Sequence, residues 1–197
     1  MDAKLDFLRE LGNIGASHGT TALSKMLHGE RLTLVVPEAE MLSFSELGNF
    51  IGETEEIVAG VYVRMTGDAE GHMAFILPYP SAVTLANMLT MGSDTELTEI
   101  GKSALLEVGN IMITSYINAL SALTNLTLYP SVPDIAIDIS AAIWQSILVN
   151  AEIADQVTLI KTIFTTPNKI ELSGRIIFLP TEAGFAKIAE VLGLEEF

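Results

Sequence analysis

LRELGNIGASHG, Leu8 to Gly19, and LLEVGNIMITSY, Leu105 to Tyr116, carry one pattern twice, 97 residues apart. Leu8, Glu10, Gly12, Asn13, Ile14, Ala22, Leu23 and Ser24 recur as Leu105, Glu107, Gly109, Asn110, Ile111, Ala119, Leu120 and Ser121. Self-similarity at a fixed offset is the mark of a structural repeat. Around both stretches apolar residues recur at 3.6 spacing, which predicts a long helix over about Asp2 to Leu27 and another over about Glu96 to Leu123.

Each helix is followed by three strand-like stretches. They read LTLVVPEAEMLSF, EEIVAGVYVRMT and EGHMAFILPY in the first half, and LTLYPSVPDIAIDIS, DQVTLIKTIFT and KIELSGRIIFLP in the second. TGDAE around Gly67 and TTPNK around Pro167 are the hairpin turns. Each half closes on a helix begun near a proline, PSAVTLANML after Tyr79 and TEAGFAKIAEVLG after Pro180. A helix near Ala141 to Val149 belongs to the second half alone. The expected fold is α/β (α+β): two tandem αβββα repeats with pseudo-two-fold symmetry, their six strands in one mostly antiparallel sheet packed with long helices. With no Ser/Gly/Pro linker between the halves, residues 1–197 read as a single domain made of two repeats, about 1–95 and 96–197; two independent units in tandem are the alternative.

Composition excludes several classes of function. Hydrophobic residues are 49% of the chain, enough for a sizeable core, yet the longest strictly apolar run, Met73 to Leu77, is five residues. A membrane-spanning helix needs about 20. The start, MDAKLDFLRE, lacks a cationic stretch followed by an apolar one, and cysteine is absent, so disulfides and thiolate chemistry are excluded and a cytoplasmic location is expected. A formal charge of −15 disfavours nucleic acid and anionic lipid as partners. His18, His28 and His72 have no metal-ligand spacing and are assigned surface or turn roles; no P-loop, GxGxxG or Ser-His-Asp order is present.

On the first helix, Asp6, Glu10, Asn13 and Ser17 fall within an arc of about 60°, opposite Leu8, Leu11, Gly12, Gly15, Gly19, Ala22 and Met26. On the second, Ser103, Glu107 and Asn110 oppose Leu105, Val108, Gly109, Met112, Ala119 and Leu123. The glycines call for close approach, of helix to sheet or of the two long helices, since each costs about 1 kcal/mol in a helix interior relative to Ala. A single Glu–Asn pair on a solvated face is ordinary. Kept in both halves while Leu11/Val108 and Gly15/Met112 have diverged, it points to a surface used for contact or chemistry. A carboxamide cannot act as a base near neutral pH, but it orients water, and a carboxylate anchors a cation. So sparse a site suits a substrate that brings most of the machinery and lacks a positioned water.

The doubled arrangement [Asp/Ser]-x3-Glu-x2-Asn followed by Pro resembles the CheC/CheX/FliY phosphatases of chemotaxis, and among them the CheC type, which carries two sites in one chain. Ser103, Glu107, Asn110 and Pro133 fit with 22 residues before the proline; Asp6, Glu10, Asn13 and Pro37 fit with 23, the surplus assigned to the turn near HGER. The resemblance implies hydrolysis of the phosphoaspartate of a CheY-like response regulator, a hydrolase reaction at two active sites. Asn13 and Asn110 would align the attacking water, and Glu10 and Glu107 would bind the regulator's lysine. No cofactor of the chain's own is expected, because Mg²⁺ is carried by the regulator, and a monomer is expected. The resemblance also implies a contact with a CheD-like receptor deamidase at or near Asp138, in PDIAIDISAAIW; from the residues alone, DIAID is equally an edge strand with polar alternation. The alternative function is a non-enzymatic adaptor that engages such a deamidase or a flagellar switch component.

Overall fold

A computed structural model describes residues 3–27, 33–43, 46, 55–148, 156–165 and 171–193. In chain order these form α1 (Ala3–Met26), β1 (Thr33–Ser43), β2 (Ile57–Gly67), β3 (Gly71–Pro78), α2 (Tyr79–Thr90), α3 (Glu99–Thr124), β4 (Leu128–Pro130), β5 (Asp134–Ile139), α4 (Ser140–Leu148), β6 (Gln156–Thr165), β7 (Glu171–Pro180) and α5 (Glu182–Leu192). Every expected helix is present within a few residues. The HGER turn and most of TTPNK lie outside the described residues.

All pairings in the sheet are antiparallel, in the order β1-β6-β7-β3-β2-β4, with β5 also on β2. The sheet has seven strands where six were expected, because LTLYPSVPDIAIDIS forms two short strands, β4 and β5. They share the outer edge of β2, so the sheet is still six positions wide. Its order is a palindrome: exchanging β1 with β4/β5, β6 with β2 and β7 with β3 returns the same sequence of neighbours. The pseudo-two-fold axis therefore passes between β3 and β7, which pair from Gly71↔Pro180 to Ile76↔Arg175.

Both outer strands are interrupted at the same place. Along β1 the register passes from Val35↔Ile163 to Glu38↔Lys161, so Val36 and Pro37 together oppose Thr162. On the other edge the Ser131 N–H donates to the Arg64 carbonyl at 2.8 Å and Asp134 pairs with Tyr62, so Val132 and Pro133 together oppose Val63. Two residues opposing one is a β-bulge, and proline, which has no N–H to give a ladder, is tolerated at such positions on sheet edges.

Strand alternation sends one set of side chains under α1, α2, α3 and α5, where Val61, Val63, Phe75, Ile160 and Ile176 join Leu11, Leu23, Leu105, Met112 and Tyr116 in the main core. The other set meets α4, whose Ile143, Trp144 and Ile147 cover Val58, Ala74, Ile76 and Ile177. Helices α1 and α3 run antiparallel. A Cβ on Gly15 would lie 2.6 Å from the ring of Tyr116, and one on Gly19 2.7 Å from Met112 Sδ. At the repeat offset Gly15 corresponds to Met112 and Gly19 to Tyr116. Each contact thus pairs one position with the counterpart of the other, as a two-fold axis requires, but all the holes are on α1 and all the knobs on α3. Among the described residues no helix is long and apolar enough to cross a membrane.

Candidate functional site

The packing of α1 against α3 decides where the polar residues point. On α1 the direction to α3 is given by Gly15 and Gly19; Glu10, Asn13 and Ser17 lie about 140–180° from it at 3.6 residues per turn. On α3 the direction to α1 is given by Met112 and Tyr116, and Ser103, Glu107, Asn110 and Thr114 lie about 140–180° away. The two polar faces therefore look outward on opposite sides of the helix pair. Each side overlies an edge strand with its bulge: α1 packs on β1, and α3 on β4 and β5. Beside the first face runs the Val36–Pro37 bulge, and beside the second the Val132–Pro133 bulge.

Glu10, Asn13 and Glu107 are exposed, and Asn110 is half-buried. Gly15 facing Tyr116 and Gly19 facing Met112 level the helices so that residue numbers on the two sum to 131. Asn13 is then level with position 118, eight residues from Asn110, which separates the two along the axis by about 12 Å. The helix backbones are held from beneath. A Cβ on Gly109 would lie 2.4 Å from Val61 Cβ, and one on Gly12 3.2 Å from Val36 Cγ1. With α1 and α3 pressed this closely to the sheet and to each other, the outward side chains stand on a rigid base.

Among the other motif residues, Asp6 is on α1. Ser103 is exposed on α3, where its hydroxyl donates to the Glu99 carbonyl at 3.0 Å. Pro37 is in the β1 bulge and Pro133, half-buried, in its counterpart. Asp138 is exposed on β5, directly before α4, and its Oδ1 accepts the Ile139 N–H at 2.7 Å. His18 is exposed on α1. His72 departs from the surface or turn role expected of it: it is buried in β3, its Nδ1 2.6 Å from the Tyr62 hydroxyl and its ring stacked on Tyr62 at 5.8 Å.

Concave places lie elsewhere among the described residues. One of about 170 Å³ on the α4 face of the sheet is lined by Glu56, Lys161, Ser173 and Arg175 among others. Another of about 110 Å³ is lined by Tyr62, Asp134, Ala136 and Ile143 among others. Neither includes a residue of the repeated motif. Glu10/Asn13 and Glu107/Asn110 stand on convex helix surfaces, which cannot enclose a small molecule but can enter the cleft of a macromolecule that brings its own pocket. Sequence reasoning missed two features here. One is Thr114, whose hydroxyl sits beside the Asn110 carboxamide at 3.4 Å; a Ser17/Thr114 match at the repeat offset was its signal. The other is the Val-Pro dipeptide that makes both bulges.

Comparison with known proteins finds relatives in sequence and in fold among chemotaxis proteins. A model of the CheC-like family matches residues 100–137, a span that holds Glu107, Asn110 and Pro133. The chain is 36% identical over 199 residues to the CheY-P phosphatase CheC of Bacillus subtilis (strain 168), covering 98% of this chain and 95% of that one. Its fold is that of Thermotoga maritima FliY, with a TM-score of 0.77, 22% identity, and coverage of 100% of this chain and 98% of the other. It also matches the CheX-CheY-BeF3-Mg complex from Borrelia burgdorferi, with a TM-score of 0.56, 16% identity, and coverage of 89% and 98%.

Proposed function

The chain belongs to the CheC-like family of chemotaxis phosphatases, and on that premise we propose that it hydrolyses the phosphoaspartate of a CheY-like response regulator at two sites, Glu10/Asn13 and Glu107/Asn110. The observation that carries the reading is the same outward polar pair on two helices, each held rigid from beneath. In each site the carboxylate attracts the ammonium of the regulator's lysine and sets the docked orientation. The carboxamide enters beside the acyl phosphate and holds a water in line with phosphorus. Phosphoryl transfer asks little covalent chemistry of a protein and depends on positioning and charge stabilisation. Mg²⁺ and the acidic residues that bind it belong to the regulator, so this chain contributes geometry and no metal. The Bacillus subtilis relative, named a CheY-P phosphatase, supports the substrate class.

The test is phosphate release from a phosphorylated CheY-like regulator in Mg²⁺. Asn13→Ala removes part of the activity and Asn110→Ala half or more, since the second motif has the family's own spacing. The double variant loses about 100-fold, the scale of removing a polar group aimed at the reacting atoms. Stability changes by no more than about 0.5 kcal/mol, as for most exposed substitutions. A folded double variant with full activity would overturn the reading. A second role is favoured by Asp138, exposed where β5 runs into α4: we propose that this corner docks a CheD-like deamidase. Asp138→Lys then weakens that binding and spares phosphate release.

A further inference from the structure

We propose that Thr114 is a positioning residue for Asn110, and that Ser17 does the same for Asn13; the inference rests on the phosphatase reading above. Hydroxyls in helices ordinarily bond the carbonyl four residues back. Here Thr20 bonds Ala16, Thr21 bonds Ser17, Ser103 bonds Glu99, Ser115 bonds Ile111 and Thr124 bonds Leu120 in this way, at 2.7 to 3.0 Å. Thr114 does not follow them. Its Oγ1–H is directed instead at the Asn110 side chain, 3.4 Å from Oδ1, with both residues half-buried. The second observation is independent of any distance: the repeat places Ser17 where Thr114 stands, so a hydroxyl follows the motif asparagine by four residues in both halves. Seventeen and 114 also sum to 131, which puts both hydroxyls level with the point where the pseudo-two-fold axis crosses the helix pair.

The chemical consequence concerns which way the carboxamide faces. An amide can rotate about its Cβ–Cγ bond and exchange a donor for an acceptor at the same place. A hydroxyl that donates to Oδ1 occupies one of its two lone pairs and opposes that rotation. The other lone pair is left to accept a hydrogen of the attacking water, and the Nδ2 hydrogens are left for phosphoryl oxygens. The water's own lone pair then faces phosphorus. A contact of 3.4 Å is long for an O–H···O bond, but hydrogen bonds of this kind tighten in the complex with substrate.

The experiment isolates one site. In the Asn13→Ala protein, with a phosphorylated CheY-like regulator in Mg²⁺, Thr114→Val lowers kcat about fivefold, the scale of one lost hydrogen bond, and leaves KM unchanged. Thr114→Ser restores kcat, and Thr114→Val adds nothing once Asn110 is already Ala. The mirror pair, Ser17→Ala in the Asn110→Ala protein, behaves alike. A readout free of catalysis is the Asn110 side-chain amide signal in NMR, which shifts and broadens in Thr114→Val and not in Thr114→Ser. Unchanged kcat with an unchanged amide signal overturns the proposal, as does a loss that appears only in KM or that Thr114→Ser fails to repair. If the unsubstituted protein releases no more phosphate than the regulator does alone, the phosphatase reading itself falls and takes this proposal with it.

Discussion

His72 is the residue whose environment departs furthest from its sequence assignment. Burial holds its pKa below the ordinary 6.5, the nearby Arg64 adds to that, and Glu70 opposes it. The unfolded chain therefore binds the proton more readily than the folded one, so stability is full above about pH 6.5 and falls as pH drops toward the depressed value. In His72→Gln that contribution is gone. The difference in denaturation midpoint between the two proteins should be constant above neutrality and move against the parent below pH 6.5; a difference independent of pH would refute the assignment. Sequence placed His72 within a strand, EGHMAFILPY, and still took it for a surface group. What it could not supply was the register that sets Arg64 opposite His72 and so leaves Tyr62 one pleat away on the same face, a partner that makes burial tolerable. The motif asparagines were legible because repetition marks them, whereas Thr114 was hidden by the exchange of Ser for Thr.

At the scale of elements, the glycines of α1 separate into those that a methyl group would injure and those it would not. Gly15 faces the ring of fully buried Tyr116, which has nowhere to go, and Gly19 faces the flexible end of Met112. Gly15→Ala should therefore cost about 1–3 kcal/mol through overpacking, less the gain of about 1 kcal/mol from helix propensity, and Gly19→Ala should be close to neutral. Thermal unfolding decides it, since each kcal/mol moves Tm by about 2–4 °C in a chain of this size; equal effects at both positions would contradict the packing described. Sequence called for close approach of helix to sheet or of the two long helices without choosing between them; the structure has both, helix to helix at Gly15 and Gly19 and helix to sheet at Gly12 and Gly109. It did not anticipate the bulges. An edge-strand proline looks the same in a list of residues whether the ladder slips by one or not, and only the partner strand, more than a hundred residues away for Pro37, reveals the slip.

For the whole molecule, the outward and opposed directions of the two polar faces leave room on both sides at once. A regulator locked in its phosphorylated form should bind to saturation at two per chain, and Glu10→Lys should reduce this to one by setting like charge against the regulator's lysine. Calorimetric titration measures the ratio; a parent that saturates at one would mean that the sites exclude each other. The arrangement of holes on α1 and knobs on α3 has a consequence of another kind. Two identical subunits meeting across a two-fold axis must offer the same surface twice. Glycine at both positions would leave them facing a void, and Met with Tyr at both would collide. Once duplicated within one chain, the halves escape that rule and can descend separately, one shedding side chains as the other enlarges them. The polar pairs stand on the outward faces, outside that exchange: the packing of one half on the other asks nothing of them, and yet both halves carry the same Glu and Asn.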